Sequence, residues 1–237
     1  MKKKKLTQKE RQGIVESVVG KVPWDKFTPG IYNNCDRWCE RCNKTSKCYL
    51  YFDEQKDKKP KDIAESLEKV GKSLGQAKDL IQKICDAEGI DISMTPQEEA
   101  EYERKEKLTD PHSDPIAKRA TKLSKTIYDW LDSVPSLDIA EYREAYEQVS
   151  WYCSLIGVKT CMAVHCMKEA AIEKGSARKF AKKQQVKYSG MAYRSTLICL
   201  NSFELMDKYV NDFRIRPIID DSRAVIDLID KKLLPQT

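Results

Sequence analysis

Cys35, Cys39, Cys42 and Cys48 fall within one short stretch, spaced C-x3-C-x2-C-x5-C. A deprotonated thiol is a metal ligand, and four of them complete a tetrahedral shell. The residues between them are mostly charged: Asp36, Arg37, Glu40, Arg41, Lys44 and Lys47. So polar a setting argues against four free thiols packed as small hydrophobes. The cations would also offset the negative charge of a four-thiolate complex. Two centres fit this ligand set. Zn2+ would make a closed structural site, for which C-x2-C is a usual half-site. A [4Fe–4S] cluster is the alternative, since it too is held by four cysteines.

The iron–sulfur reading has two partial likenesses behind it. C-x3-C-x2-C is similar to the cluster motif of radical S-adenosylmethionine enzymes, and C-x2-C-x5-C is similar to the last three ligands in the cluster loop of helix-hairpin-helix DNA glycosylases. Neither extends further. The first family is built of repeated β/α units, and the second needs a glycine hairpin and a catalytic aspartate context that this chain lacks. The longer stretch YNNCDRWCERC (32–42) with TSKC (45–48) resembles the signature of a group of bacterial helical proteins with no assigned activity. The resemblance continues in Glu147–Gln148–Val149–Ser150–Trp151–Tyr152 and in Gly175–Ser176–Ala177. It implies that the four cysteines act together, and it implies no reaction.

Other constellations carry less. His165 and Glu169 are four apart on one helix, a spacing that would let them form a ligand or proton site. A partly exposed pair is the plainer reading. A di-iron carboxylate site needs two Glu-x-x-His pairs. The chain has only His112 and His165, neither with an acid three residues earlier. Cys85, Cys153, Cys161, Cys166 and Cys199 lie scattered on helical segments and read as core residues. A nucleophile formed by His165 with Cys161 or Cys166 has no visible oxyanion device.

The elements that must position the cysteines are helical. Thr7 can cap a helix to about residue 19. Pro23, Pro29 and Gly30 then mark a loop carrying Trp24, Phe27, Ile31 and Tyr32, aromatic enough to be pinned down. On a helix Cys35, Cys39 and Cys42 would share one face, with Cys48 returning through a polar turn. From 60 to 87 the apolar residues Ile63, Leu67, Val70, Leu74, Ala77, Ile81 and Ile84 alternate steps of four and three, a heptad-like stripe that Gly89 stops. Thr95–Pro96 opens a charged, exposed helix. Asp114–Pro115 opens another, ending near Asp132.

After the break at Pro135, with Ser136 as a cap, a long helix runs from about 138 to 173. It has two apolar stripes, one from Ile139 to Ala170 and one through Trp151, Leu155, Val158 and Met162. A helix apolar on two sides must be packed on two sides, so it reads as the central one. A further long helix, 177–211, carries the stripe Phe180, Gln184, Tyr188, Met191, Ser195, Ile198, Ser202, Leu205 and Tyr209. Arg216–Pro217 breaks it before a short last helix, 218–233. The expectation is an all-α protein: a bundle of four long helices over 60–237, with short flanking helices, and a four-cysteine segment over 1–59.

The composition agrees. Charged residues make up 34% of the chain, with nine Gly and nine Pro, which suits long charged helices rather than a sheet with many turns. The formal net charge is +6, of which Lys2, Lys3, Lys4 and Lys5 supply four. The charge excess therefore sits in a terminal run, which reads as a solvated tail, with a nucleic-acid arm as the alternative. No apolar stretch follows those lysines, and none is long enough to span a membrane. A cytoplasmic location follows, where thiols stay reduced and clustered cysteines favour metal over disulfide. The functional expectation is a metal-stapled bundle serving as a binding or scaffold module for a protein or small-molecule partner. The rivals are an iron–sulfur redox or cluster-dependent protein, and nucleic-acid binding through the lysine tail.

Overall fold

The helix starts show how local sequence sets the architecture. Thr7 accepts from the Glu10 backbone while the Glu10 carboxylate accepts from the Thr7 backbone, a reciprocal cap that opens α1 (Gln8–Val19). Asp62 caps α3 (Ile63–Glu88), and Gly89 ends it in the left-handed region at φ +64°. Thr95 and Glu98 form a second reciprocal cap at α4 (Pro96–Thr109). Asp114 caps α5 (Pro115–Leu131), with Pro115 in the first turn where no N–H is needed. The remaining helices are α2 (Tyr49–Lys56), α6 (Ala140–Ile172), α7 (Gly175–Met206) and α8 (Ile215–Lys232).

This computed structural model describes residues 6–56, 62–134 and 137–235, and every regular element among them is helical. No helix among the described residues is long and apolar enough to cross a membrane. Lys2–Lys5, Pro60, Pro135 and Ser136 lie outside the described residues.

The chain forms two compact units, 1–99 and 100–237. In the first, α1 lies along the C-terminal part of α3, tied by Arg11 to Glu88 and by Lys83 Nζ to Ser17 Oγ at 3.4 Å. The heptad stripe is exposed at Ile63, Leu67, Val70, Leu74 and Ile81, whereas Cys85 is buried. The sequence reading puts this helix in the bundle, with a boundary at 59/60. Its packing partner within its own unit is α1. Gly71 and Gly75 interrupt α3 on open surface, with nothing near where a Cβ would stand. Alanine at each should stabilise the helix by about 0.5–1 kcal/mol. Circular dichroism melts of Gly71→Ala and Gly75→Ala check this.

In the second unit α5, α6, α7 and α8 form the bundle. α6 packs between α5 and α7, and α8 closes against both α5 and α7. The C-terminal helix, expected as a short flanking piece, is thus the fourth member. It starts before Pro217, not after it. A proline within the first helical turn removes an N–H that has no acceptor anyway, so it breaks nothing there. The core joins Leu123, Ile127 and Trp130 of α5 to Tyr142, Val149 and Ile156 of α6, Phe203 and Met206 of α7, and Ile218, Val225 and Ile229 of α8.

The buried face of α7 differs from the expected stripe. Ser195 and Ser202 are buried, but so are Ala181, Ser189, Ala192, Thr196, Cys199 and Phe203, while Phe180 is exposed. Small residues let α7 approach α6 closely. Thr196 Oγ1 donates within the helix to the Ala192 carbonyl at 2.8 Å, whereas Ser202 Oγ donates across to Gln148 Oε1 of α6 at 3.0 Å. A hydropathy stripe does not register such a face. Close approach also governs α5 against α6. Ser124 Oγ donates to the Cys153 carbonyl and accepts from the Gly157 N–H at 2.9 Å. A Cβ on Gly157 would stand 3.1 Å from Ser124 Oγ and 3.2 Å from the Thr121 Cα. Gly157→Ala should therefore cost about 1–3 kcal/mol of stability in denaturant unfolding.

Candidate metal centre

The cysteines are not carried on one α-helix, as their i, i+4, i+7 spacing suggests. Three short 3-10 turns hold them: Ile31–Asn34, Cys39–Arg41 and Thr45–Lys47. Cys35 follows the first turn, Cys39 opens the second, and Cys42 and Cys48 end the second and third. The strained point is Arg37, a non-glycine residue with φ +66° between Cys35 and Cys39. It lets the chain double back, with Cys39 N–H donating to the Arg37 carbonyl at 3.0 Å.

The aromatic loop before the cysteines is pinned as expected, onto a helix the hydropathy pattern does not indicate. Directly after Cys48, α2 presents Tyr49 and Phe52. Trp24 lies 5.0 Å from the Tyr49 ring, and Phe27 lies 5.6 Å from Tyr49 and 5.0 Å from Phe52. Thr28 N–H donates to the Lys47 carbonyl at 3.0 Å, tying the loop to the last cysteine turn.

All four cysteines line one cavity of about 220 Å³, together with Tyr32, Trp38 and Tyr51. All four are half-buried free thiols. Cys35 Sγ donates to the Tyr32 carbonyl at 3.4 Å, and Cys42 Sγ accepts from the Lys44 N–H at 3.4 Å. As the side chains stand, no three His, Cys, Asp or Glu among the described residues converge closely enough to share one ion. The sulfurs nevertheless influence one another. Burial, then Glu54, then Cys35 and Cys48 push the Cys39 thiol above its ordinary value, with Arg37 acting the other way. Arg37 also reaches Glu54 at 3.4 Å, and the Arg41 guanidinium lies 4.0 Å from the Trp38 ring centre. Lys44 and Arg37 border the same cavity.

His165 and Glu169 turn to different partners. His165 Nδ1 lies 3.1 Å from the Thr109 carbonyl, and Glu169 faces Lys105 at 3.9 Å. His165 shares a shallow surface cavity with His112, a meeting that a separation of over fifty residues conceals. Cys85, Cys153, Cys166 and Cys199 are buried, as core residues should be. Burial raises the thiol pKa of Cys153, Cys166 and Cys199, which makes them poor nucleophiles. Cys161 is only half-buried, 3.7 Å from Thr121 Oγ.

No family model matches this chain, and neither the curated proteins nor the solved structures show a match to it.

Proposed function

We propose that Cys35, Cys39, Cys42 and Cys48 hold one metal centre as thiolates, and that this centre staples the N-terminal segment of a helical protein whose body is a binding or scaffold module. The observation that carries the reading is the common cavity: four sulfurs carried by three short turns all border it. The basic residues at its edge supply countercharge, and the resemblance of the 32–48 stretch to a four-cysteine signature adds weight. In the first form of the reading the centre is Zn2+, drawing in each sulfur to about 2.3 Å. With all four positions taken by protein, the ion is structural.

A specific observation favours a second form. The cavity is far roomier than the roughly 30 Å³ share of one water. A [4Fe–4S] cluster spaces its four cysteines more widely than a single ion does, and would make this a redox or cluster-dependent protein.

Metal analysis with an absorption spectrum of anaerobically purified full-length protein tests both. A colourless protein with one zinc per chain supports the first form. A brown protein absorbing near ~400 nm, with four irons per chain, supports the second. A chain that takes up neither metal, with all four thiols free to alkylation, overturns the proposal.

A further inference from the structure

Between Glu173 and Glu204 the chain has no carboxylate, yet it has seven cations: Lys174, Arg178, Lys179, Lys182, Lys183, Lys187 and Arg194. All belong to α7 or cap it. Six are exposed and Lys187 is half-buried. None of the seven makes an ion pair among the described residues. The carboxylates that flank the run in sequence are engaged elsewhere: Glu173 with Lys105 and Glu204 with Arg223. The net charge of the chain conceals this face, because carboxylates elsewhere balance it.

The cations do not serve the helix. Lys174, Arg178 and Lys179 stand at its N-terminal end, where the helix dipole disfavours positive charge. That end has no side-chain cap and no acidic residue in its first turn. Lys179, Lys183 and Lys187 follow at i, i+4 and i+8, a row of charges about 6 Å apart along the helix. Phe180, 62% exposed, and Val186 stand among them. The end of α8 is tied alongside, with Gln185 Nε2 donating to the Leu233 carbonyl at 3.1 Å and Ser189 Oγ to the same carbonyl at 3.2 Å.

We infer that this face of α7 binds nucleic acid through its phosphate backbone. A row of cations without ion pairs among the described residues gains by counterion release against a regular polyanion, and an aromatic among them offers a surface for a base. A membrane surface fits less well. An interfacial helix needs a broad free apolar face, and that of α7 is spent in the core on Ala181, Ala192, Cys199 and Phe203. The inference is independent of the cysteines.

The test uses the full chain with a labelled 20-nucleotide duplex and the matching single strand, read by fluorescence anisotropy across a salt series. Binding in the micromolar range at 0.1 M salt is expected, without sequence preference, falling steeply as salt rises. The variant K179Q/K183Q/K187Q should bind at least about tenfold more weakly and reduce the salt slope by about 2–3. K179R/K183R/K187R should retain both. These side chains lie outside the core, so an unchanged circular dichroism spectrum verifies the fold. Three results would overturn the inference. Wild type could fail to bind at 0.05 M salt. The Gln variant could match wild type in affinity and slope, with deletion of residues 2–5 abolishing binding instead. Or anionic phosphatidylserine vesicles could capture a chain that nucleic acid does not.

Discussion

Cys42→Ser should abolish the metal binding proposed for the four cysteines. None of the four cysteines is fully buried, so packing alone does not hold a three-sulfur remnant in place. Removing one of four thiolates removes a direct metal bond. The loss should therefore exceed the roughly 10–100-fold in affinity that changes in the outer shell of a metal site typically cost. Cys35→Ser, Cys39→Ser and Cys48→Ser should behave alike, since all four border the same cavity. Cys85→Ser, in the buried contact of α3, should keep full stoichiometry. Competition against a chromophoric chelator measures this, with limited proteolysis between residues 24 and 56 as a second readout.

The same experiment has a pH sign. A thiol must lose its proton to ligate, so binding releases protons and affinity rises with pH. The Cys39 thiol is held above its ordinary value by burial and neighbouring negative groups. Its proton is therefore the harder to remove in the metal-free chain, and affinity should fall steeply on acidification. Equal affinity at pH 6 and pH 8 would contradict a thiolate site.

Trp130→Ala should be the most damaging substitution in the bundle, at about 3–5 kcal/mol of unfolding free energy. Trp130 is 2% exposed, meets the Phe203 ring edge-on at 5.0 Å, and donates from Nε1 to Asp212 at 3.1 Å. Asp212 is gripped in turn by Arg214, whose Nε and Nη2 donate to it at 3.0 and 2.6 Å. Arg214 also donates to Ser133 Oγ at 2.7 Å, which joins the end of α5 to the turn between α7 and α8. Urea unfolding compares the variant with wild type.

The Arg214 hydrogen bonds, with help from the Trp130 indole, depress the Asp212 carboxyl to about 2. A depressed carboxyl contributes stability that is complete above its ordinary value of 3.8 and is lost as pH falls through about 2. Asp212→Asn should accordingly be less stable than wild type at neutral pH, and the difference should close between about pH 4 and pH 2. A gap of constant size down to pH 2 would show that the pair contributes shape, not charge.

Much of this protein is legible without coordinates. Helix ends are local chemistry, which is why Thr7, Asp114 with Pro115, and Gly89 mark them where the structure has them. Ile116, Ala120, Leu123, Ile127 and Trp130 recur at steps of four and three, a face that the sequence shows plainly because α5 buries large residues on it. The buried face of α7 is hidden because small and hydroxylated residues make it, and their fitness for the core depends on how near α6 comes. Pro217 misleads because a proline stops a helix or starts one according to its neighbours in space.

At the cysteines the division is the same. Residue types and spacing alone determined that four thiols lie close along the chain in a charged setting. Only the tertiary structure decided that 3-10 turns, a left-handed Arg37 and the aromatic clasp of Trp24 and Phe27 on α2 carry them to one cavity. It also decided that His165 Nδ1 sits by the Thr109 carbonyl while Glu169 faces Lys105, and that Glu173 and Glu204, which flank the α7 cations, pair with Lys105 and Arg223. The physical reason is range. Capping and periodicity act over a few residues and are written locally, whereas a cavity or a charged face depends on which distant segments come into contact.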